Sequence, residues 1–492
     1  EFFMVKIENL NFENSYKHLP DSFYSRIDPT PLPEPYLVSF NENAAHLIDL
    51  DCNEVSRDDF ANYFVGNLLA PGAEPLSMLY AGHQFGRFVP QLGDGRAILL
   101  GEIRSNTGEL WDLQLKGAGI TPYSRQGDGR AVLRSSIREY LCSEAVHALG
   151  IPTSRALCIV GSDEEVYRER IESAAVVTRL SSSHVRFGTF EVFYHRKQYE
   201  QISTLTDYVI DRHFPHLAEE PGRYLMFLSE VTERTAKLMA QWQSVGFSHG
   251  VMNTDNMSII GLTIDYGPFG FMETFDPGYI CNHSDPDGRY AYDQQPQVGL
   301  WNLACLARAL SPLISAEQSN TILNAYAPSY HQHYADLMGA KLGLIDATPD
   351  DMQLVASLLQ MMHAGQIDYT NSFRQLGNFS TVNDVLNNPL RNQFVDSSAF
   401  DTWATSYKAR LQQQAGSDSA RKARMDRINP KYILRNYLAQ NAIQRAEQER
   451  DFSEVDRLLK LLSHPFDEQP EMNDYAATPP DWAQNIEVSC SS

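Results

Sequence analysis

Cysteine is scarce in this chain. Six are spread over 492 residues (Cys52, Cys142, Cys158, Cys281, Cys305 and Cys490), none in CxxC spacing. That pattern excludes a cysteine-built zinc site and a disulfide scaffold, and it fits a reducing, cytoplasmic compartment. Long apolar runs are missing too. No stretch of ~18 apolar residues occurs, so no membrane span is expected. The opening Glu1-Phe2-Phe3-Met4 has neither a basic start nor a long apolar segment, so no signal peptide is expected. Positive charge is in short supply. Lys and Arg number 40 against 62 Asp and Glu, a net charge of −22. Such a surface repels phosphate backbones and anionic lipid heads, which argues against nucleic-acid and membrane partners. An acidic protein that handles phosphate must gather its few cations in one place. The sequence shows no internal repeat and no low-complexity tract.

What remains is an ordinary globular composition, 43% hydrophobic and 21% charged. The length exceeds the ~250–300 residues at which single cores stop growing, so two lobes and an extension are expected. Residues 1–75 are mixed and Pro-rich around Pro29 to Pro35, which reads as an irregular wrap. Residues 76–200 read as strands with Gly turns. Ala97 to Ile103 follows Gly93-Asp94-Gly95, and Leu110 to Lys116 alternates apolar and polar residues. A helix is expected over Ala131 to Leu149, stopped by Gly150 and Pro152. From 201 to 400 the chain reads as helical. Tyr224, Leu228, Val231, Thr235, Leu238 and Trp242 mark one face of a long helix ending near Gly246. Further helices are expected at Leu300 to Leu310, Tyr432 to Gln448 and Glu454 to Leu462. Residues 401–492 form a helical extension, with Gln413 to Arg424 and the tail after Pro465 read as linker. A β-rich part before a larger helical part is the order of an α+β, protein-kinase-like bilobal fold.

Four groups of residues carry chemistry. Gln91-Leu92-Gly93-Asp94-Gly95-Arg96 precedes a strand, and its glycines let backbone N–H groups approach phosphates. Lys116 ends an alternating strand, and Glu139 falls inside the next helix. A strand Lys paired with a helix Glu is the kinase device for aiming an ammonium at phosphates. The most specific run is Ser248-His249-Gly250-Val251-Met252-Asn253-Thr254-Asp255-Asn256, followed by Ile264-Asp265-Tyr266-Gly267. In kinase-like enzymes a His-led loop ends in an Asn, and a later Asp-x-Gly supplies a second metal ligand. Asn256 and Asp265 fit those roles, and hard oxygens of this type suit Mg²⁺ or Mn²⁺ on the phosphates of ATP. Finally, Arg179 and Arg186 lie seven residues apart, on one helix face or in one loop. Arginine forks bind phosphate bidentately. Gln126-Gly127-Asp128-Gly129-Arg130 repeats the Gly-Asp-Gly-Arg of the first loop.

One departure decides between chemistries. Where a phosphoryl-transferring kinase has its catalytic Asp, the third residue of the His loop, this chain has Val251, which cannot accept a proton. The nearest carboxylate is Asp255. The protein is therefore either inactive or works with a different base.

At these residues the sequence resembles the selenoprotein O family of pseudokinases. The matching runs are Tyr80-Ala81-Gly82-His83-Gln84-Phe85-Gly86, Gly93-Asp94-Gly95-Arg96-Ala97, Lys116-Gly117-Ala118-Gly119 and Tyr123-Ser124-Arg125. His249 to Asn256, Asp265-Tyr266-Gly267-Pro268 and Asn429-Pro430-Lys431-Tyr432 match as well. The resemblance runs from about residue 10 to the C-terminus. It implies a protein adenylyltransferase that binds ATP in reversed orientation and transfers AMP to Ser, Thr or Tyr hydroxyls of proteins. By position it implies that Lys116, Arg179 and Arg186 hold buried phosphates, with Asp128 and Gly129 beside them. Gly93, Gly95 and Arg96 form the other nucleotide loop, Asn256 and Asp265 hold the metal, and Asp255 is the proton acceptor. It also aligns Cys490 with the selenocysteine of eukaryotic members. A Cys490–Cys281 disulfide and a free-thiol tail both remain open. A kinase-like phosphotransferase and a silent nucleotide-binding scaffold are the competing functions. Val251 speaks against the first, and the intact Lys116, Glu139, Asn256 and Asp265 set against the second. A monomer is favoured, although the sequence does not fix the oligomeric state.

Overall fold

In a computed structural model, which describes residues 4–489, the N-terminal segment is more than a wrap. It supplies β1 (Tyr24–Arg26) and β2 (Tyr36–Phe40) to the main sheet. Next come β3 (Leu76–Met78) and a separate hairpin of β4 (Gly82–Gln84) and β5 (Arg87–Val89). The sheet continues with β6 (Ala97–Arg104), β7 (Leu110–Lys116), β8 (Ala131–Val132), β9 (Arg155–Tyr167) and β10 (Ile171–Ser181). The strand order is β1-β3-β6-β7-β10-β9-β2, with β8 also on β10, and every pairing is antiparallel.

The pleat sorts neighbouring residues to opposite faces. Ile98, Leu100, Leu113, Leu115, Val160 and Val176 pack with Ile48, Phe60 and Phe64 of the N-terminal segment. Leu99, Ile159, Ala175 and Val177 belong instead to the core that contains Ile137 and Leu141 of the Leu133–Ala148 helix. This helix starts two residues later than its periodicity indicates, because Ala131 and Val132 pair with β10. The Arg223–Val245 helix forms as its apolar stripe predicts and ends at Gly246, whose φ of +71° is the left-handed cap.

The helical part has a further core around Met338, Leu358, Phe400, Trp403 and Tyr407. The stretch read as linker holds a helix, Asp418–Asp426. Ser417 caps it, accepting from Ala420 N at 3.2 Å, and only Arg421 and Met425 are buried. Its apolar signal is a single methionine. The expected Tyr432 helix begins at Asn436. Tyr432 to Leu434 are buried outside it, and Arg435 is anchored to Asp368 at 2.8 Å. The helices Asn436–Glu449 and Ser453–Leu462 return to the core under the sheet, where Asp456 Oδ1 accepts from Ser39 Oγ at 2.6 Å. Among the described residues no helix is long and apolar enough to cross a membrane.

Candidate active site

Strand register places the first cations. Lys116 stands opposite Val177, and Arg179 stands opposite Gln114, two residues before Lys116 on β7. Directly opposed residues share a face, so Lys116 and Arg179 project to the side of the sheet covered by the Leu133–Ala148 helix. Glu139 of that helix meets both. Its Oε2 accepts from Lys116 Nζ at 2.5 Å and its Oε1 from Arg179 Nη1 at 3.0 Å. Arg179 also donates to Gln114 Oε1 from Nε at 3.0 Å.

Asp265 closes the cluster from the helical side. Its Oδ1 accepts from Arg179 Nη1 at 2.6 Å and lies 3.8 Å from Lys116 Nζ, while its Oδ2 accepts from Arg186. Arg186 sits at the N-terminus of the Phe187–His195 helix, donates to the Asp255 carbonyl at 2.7 Å and lies over the Tyr80 ring at 4.5 Å. The two arginines thus come from a strand and a helix cap, not from one helix face or one loop. Asp265 adopts φ +57°, a left-handed conformation costly for a residue with a Cβ. Burial would push its carboxyl up, but Arg186, Arg179 and Lys116 outweigh burial and hold it well below the usual carboxylate range. The same contest leaves Glu139 below its ordinary value, with Lys116 and Arg179 overriding burial. Breaking such a buried pair from one side costs about 3–5 kcal/mol.

The His-led loop follows the long helix. His249 lies against Trp242 with ring centroids 5.4 Å apart, and its Nε2 donates to the Ile264 carbonyl at 2.8 Å. Asn256 donates from Nδ2 to the Val251 carbonyl at 2.9 Å, and among the described residues its amide oxygen accepts no hydrogen bond. Asp255 is buried. Its Oδ2 accepts from Gln84 Nε2 at 3.2 Å, and its Oδ1 has no partner among the described residues. Gly82 makes this possible, since a Cβ there would stand 2.5 Å from that same Oδ1. Desolvation raises the Asp255 carboxyl to about 7.

A cleft of about 520 Å³ lies among these residues. Gly93, Gly95 and Arg96 line it from the loop before β6, and Asp128 and Gly129 from the second Gly-rich loop. Lys116, Arg179, Asp255, Asn256 and Asp265 complete the wall. Arg186 and Glu139 are not on it; they stand behind Asp265 and Lys116. Arg96 has no carboxylate in ion-pair range among the described residues, and burial lowers its guanidinium. Asp128 is held by Arg168 at 2.7 Å. A larger cavity of about 830 Å³, with Leu354, Met361, Phe394 and Trp403 on its walls, carries no cation. Of these two spaces, only the smaller cleft has cations on its wall.

A protein-family model described as "Protein adenylyltransferase SelO" matches residues 6–463. The chain belongs to this family. Relatives include the protein nucleotidyltransferase YdiU of Thiobacillus denitrificans, 57% identical over 99% of this chain and 100% of that protein. Those of Myxococcus xanthus and Thioalkalivibrio sulfidiphilus are 55% and 56% identical over the same shares. This SelO-family chain is thus an enzyme of the nucleotidyltransferase class.

Sequence reading gave no role to the SelO-family run from Tyr80 to Gly86, whose β4–β5 hairpin braces the loop. His83 N donates to Thr254 Oγ1 at 2.7 Å, Phe85 N to Asn253 Oδ1 at 3.1 Å, and Gln84 meets Asp255. Buried Glu191 completes the brace, 2.5 Å from His83 Nδ1 and accepting from Thr254. The only signal was a Gly-bracketed polar run. Cys281 lies with its Sγ 3.5 Å from Ser248 Oγ, and burial pushes its thiol up to about 12. Cys490 lies outside the described residues. His283 N donates to the Val488 carbonyl at 2.8 Å, which sets the tail beside the segment that carries Cys281.

Proposed function

We propose that this SelO-family enzyme transfers the AMP part of ATP to Ser, Thr or Tyr hydroxyls of proteins on a kinase-like, two-lobed framework. The observation that carries the reading is a division of labour along one cleft. Lys116 and Arg179, backed by Arg186, gather positive charge at its buried wall. The desolvated Asp255 stands elsewhere on the cleft, and Val251 occupies the place of a kinase base.

In this reading the acceptor oxygen attacks the α-phosphorus, and Asp255 takes its proton. The bond from the α-phosphorus to the oxygen bridging to the β-phosphate breaks, and pyrophosphate leaves. Charge grows on the leaving group, where Lys116, Arg179 and Arg186 stabilise it. Gly93, Gly95 and Arg96 hold the nucleotide from the other side, and Asp128 and Gly129 flank the phosphates. A divalent cation fits the donors: among the described residues the Asn256 amide oxygen accepts no hydrogen bond and the Asp255 Oδ1 has no partner, and Asp265 stays ionised. Asn256 and Asp265 would hold Mg²⁺ or Mn²⁺, which when bound neutralises phosphate charge. The tail position supports a Cys281–Cys490 pair as a redox element of the same enzyme.

The test is label tracing. Protein acceptors should take label from α-labelled ATP and none from γ-labelled ATP. Asp255→Asn should lower transfer ~10²–10⁴-fold while ATP binding persists. Incorporation of the γ-label would replace this reading with phosphotransfer.

A further inference from the structure

The cleft has a marked rim. At the tip of the β4–β5 hairpin, Phe85 is 38% exposed and lines the cleft, with its ring 5.1 Å from Tyr290. The neighbouring Arg289 lies over the Trp301 ring at 4.8 Å, and Trp301 is itself 37% exposed. Gly86 leaves room for this guanidinium: a Cβ there would stand 3.0 Å from Arg289 Cζ. The chain holds 62 acidic residues, yet none of the described carboxylates pairs with the Arg289 guanidinium; Asp285 Oδ1 accepts only from its backbone N–H at 3.1 Å, and Arg289 Nε is buried without a partner among the described residues. A guanidinium fixed on an aromatic face and free of internal carboxylates has little freedom left to lose on binding.

We propose that Arg289, on its platform of Trp301 and Tyr290, receives the carboxylate of an acidic side chain close to the modified hydroxyl of the acceptor protein. This inference rests on the AMP-transfer reading. The occupant is an extended acceptor segment, because a hydroxyl must reach Asp255 through the same mouth. From Asp255 the path runs through Gln84, Phe85 and Tyr290 to Arg289. That is the reach of a few extended residues at ~3.3 Å each. The charge argument fixes the chemistry. An acidic segment is repelled by most of a surface with net charge −22, so a guanidinium with no described carboxylate partner beside the mouth both attracts it and sets its register.

The probes are two fluorescein-labelled Gly/Ala dodecapeptides with one central Ser, flanked by Glu in one and by Gln in the other. Anisotropy with the full chain should show the Glu peptide binding about tenfold more tightly, the gap closing at high salt. Arg289→Ala should remove the gap, and Arg289→Lys should keep part of it. With α-labelled ATP, Arg289→Ala should raise KM for the Glu peptide about tenfold and leave KM for ATP unchanged. Equal binding of the two peptides to the unmodified chain would overturn the inference without any variant. Discrimination between peptides with no AMP transferred would overturn the AMP-transfer reading and leave the carboxylate site standing.

Discussion

Lys116 and Lys341 are both shielded from water, and they differ in their company. Lys116 shares Glu139 and Asp265 with two arginines, each carboxylate serving more than one cation. Lys341 is 3% exposed in the helical part and has no carboxylate partner among the described residues. Its ammonium stands over the faces of Phe373 and Tyr369, at 4.6 and 5.6 Å. Burial lowers both ammonium groups, but Glu139 supports the charge on Lys116, whereas Lys341 falls to about 7. A buried charge held in a network stays available for work. One held alone is given up near neutral pH.

The strongest way to break this contrast is Asp265→Ala. Arg186 would lose its carboxylate and Arg179 one of two, so we expect transfer to fall more than 10³-fold. A thermal melt should also show a loss of about 3–5 kcal/mol. Full activity would dismiss the kinase-like reading. Next in size is Arg186→Ala, expected to lower AMP transfer ~10²-fold without creating phosphotransfer, as read with α- and γ-labelled ATP. Because Arg186 stands behind Asp265, part of its effect should appear as weaker nucleotide binding.

Lys341→Met sharpens the other half. The folded-state value lies below the ordinary 10.5, so the unfolded chain binds the proton more tightly. The cost of burial stands in full below about pH 7 and fades as pH rises towards 10.5. Lys341→Met should therefore stabilise by a few kcal/mol at pH 6.5 and by less at pH 9, measured by denaturant unfolding. A gain independent of pH would show that packing, not charge, is responsible. The smallest effect concerns the tail. Non-reducing digestion of oxidised protein should release a Cys281–Cys490 peptide that dithiothreitol cleaves. Its absence would leave the tail without a redox role.

How far sequence reaches follows from where each residue's partner lies. Lys116 and Glu139 were legible because strand alternation and helix period are local patterns. Asn256 and Asp265 stand out because their run is dense in small polar residues after a long helix, and both border the cleft. Arg179 and Arg186 were singled out, but their meeting depends on β10 pairing with β7 and on the Arg186 cap reaching Asp265. Spacing along the chain records neither. The Asp418–Asp426 helix was lost because its buried face is one Met and one Arg. Gln84 lies within a motif, but the sequence assigns it no role, since only the folded hairpin brings it 3.2 Å from Asp255.

The central claim is an orientation: the terminal phosphates inward, the α-phosphate towards Asp255. A structure with a non-hydrolysable ATP analogue and Mg²⁺ tests it most directly. The account predicts the Arg179 and Arg186 guanidinium groups and Lys116 on the β- and γ-phosphates, with the α-phosphate facing Asp255. A γ-phosphate at Asp255, with both arginines still on Asp265 and away from the nucleotide, would contradict it.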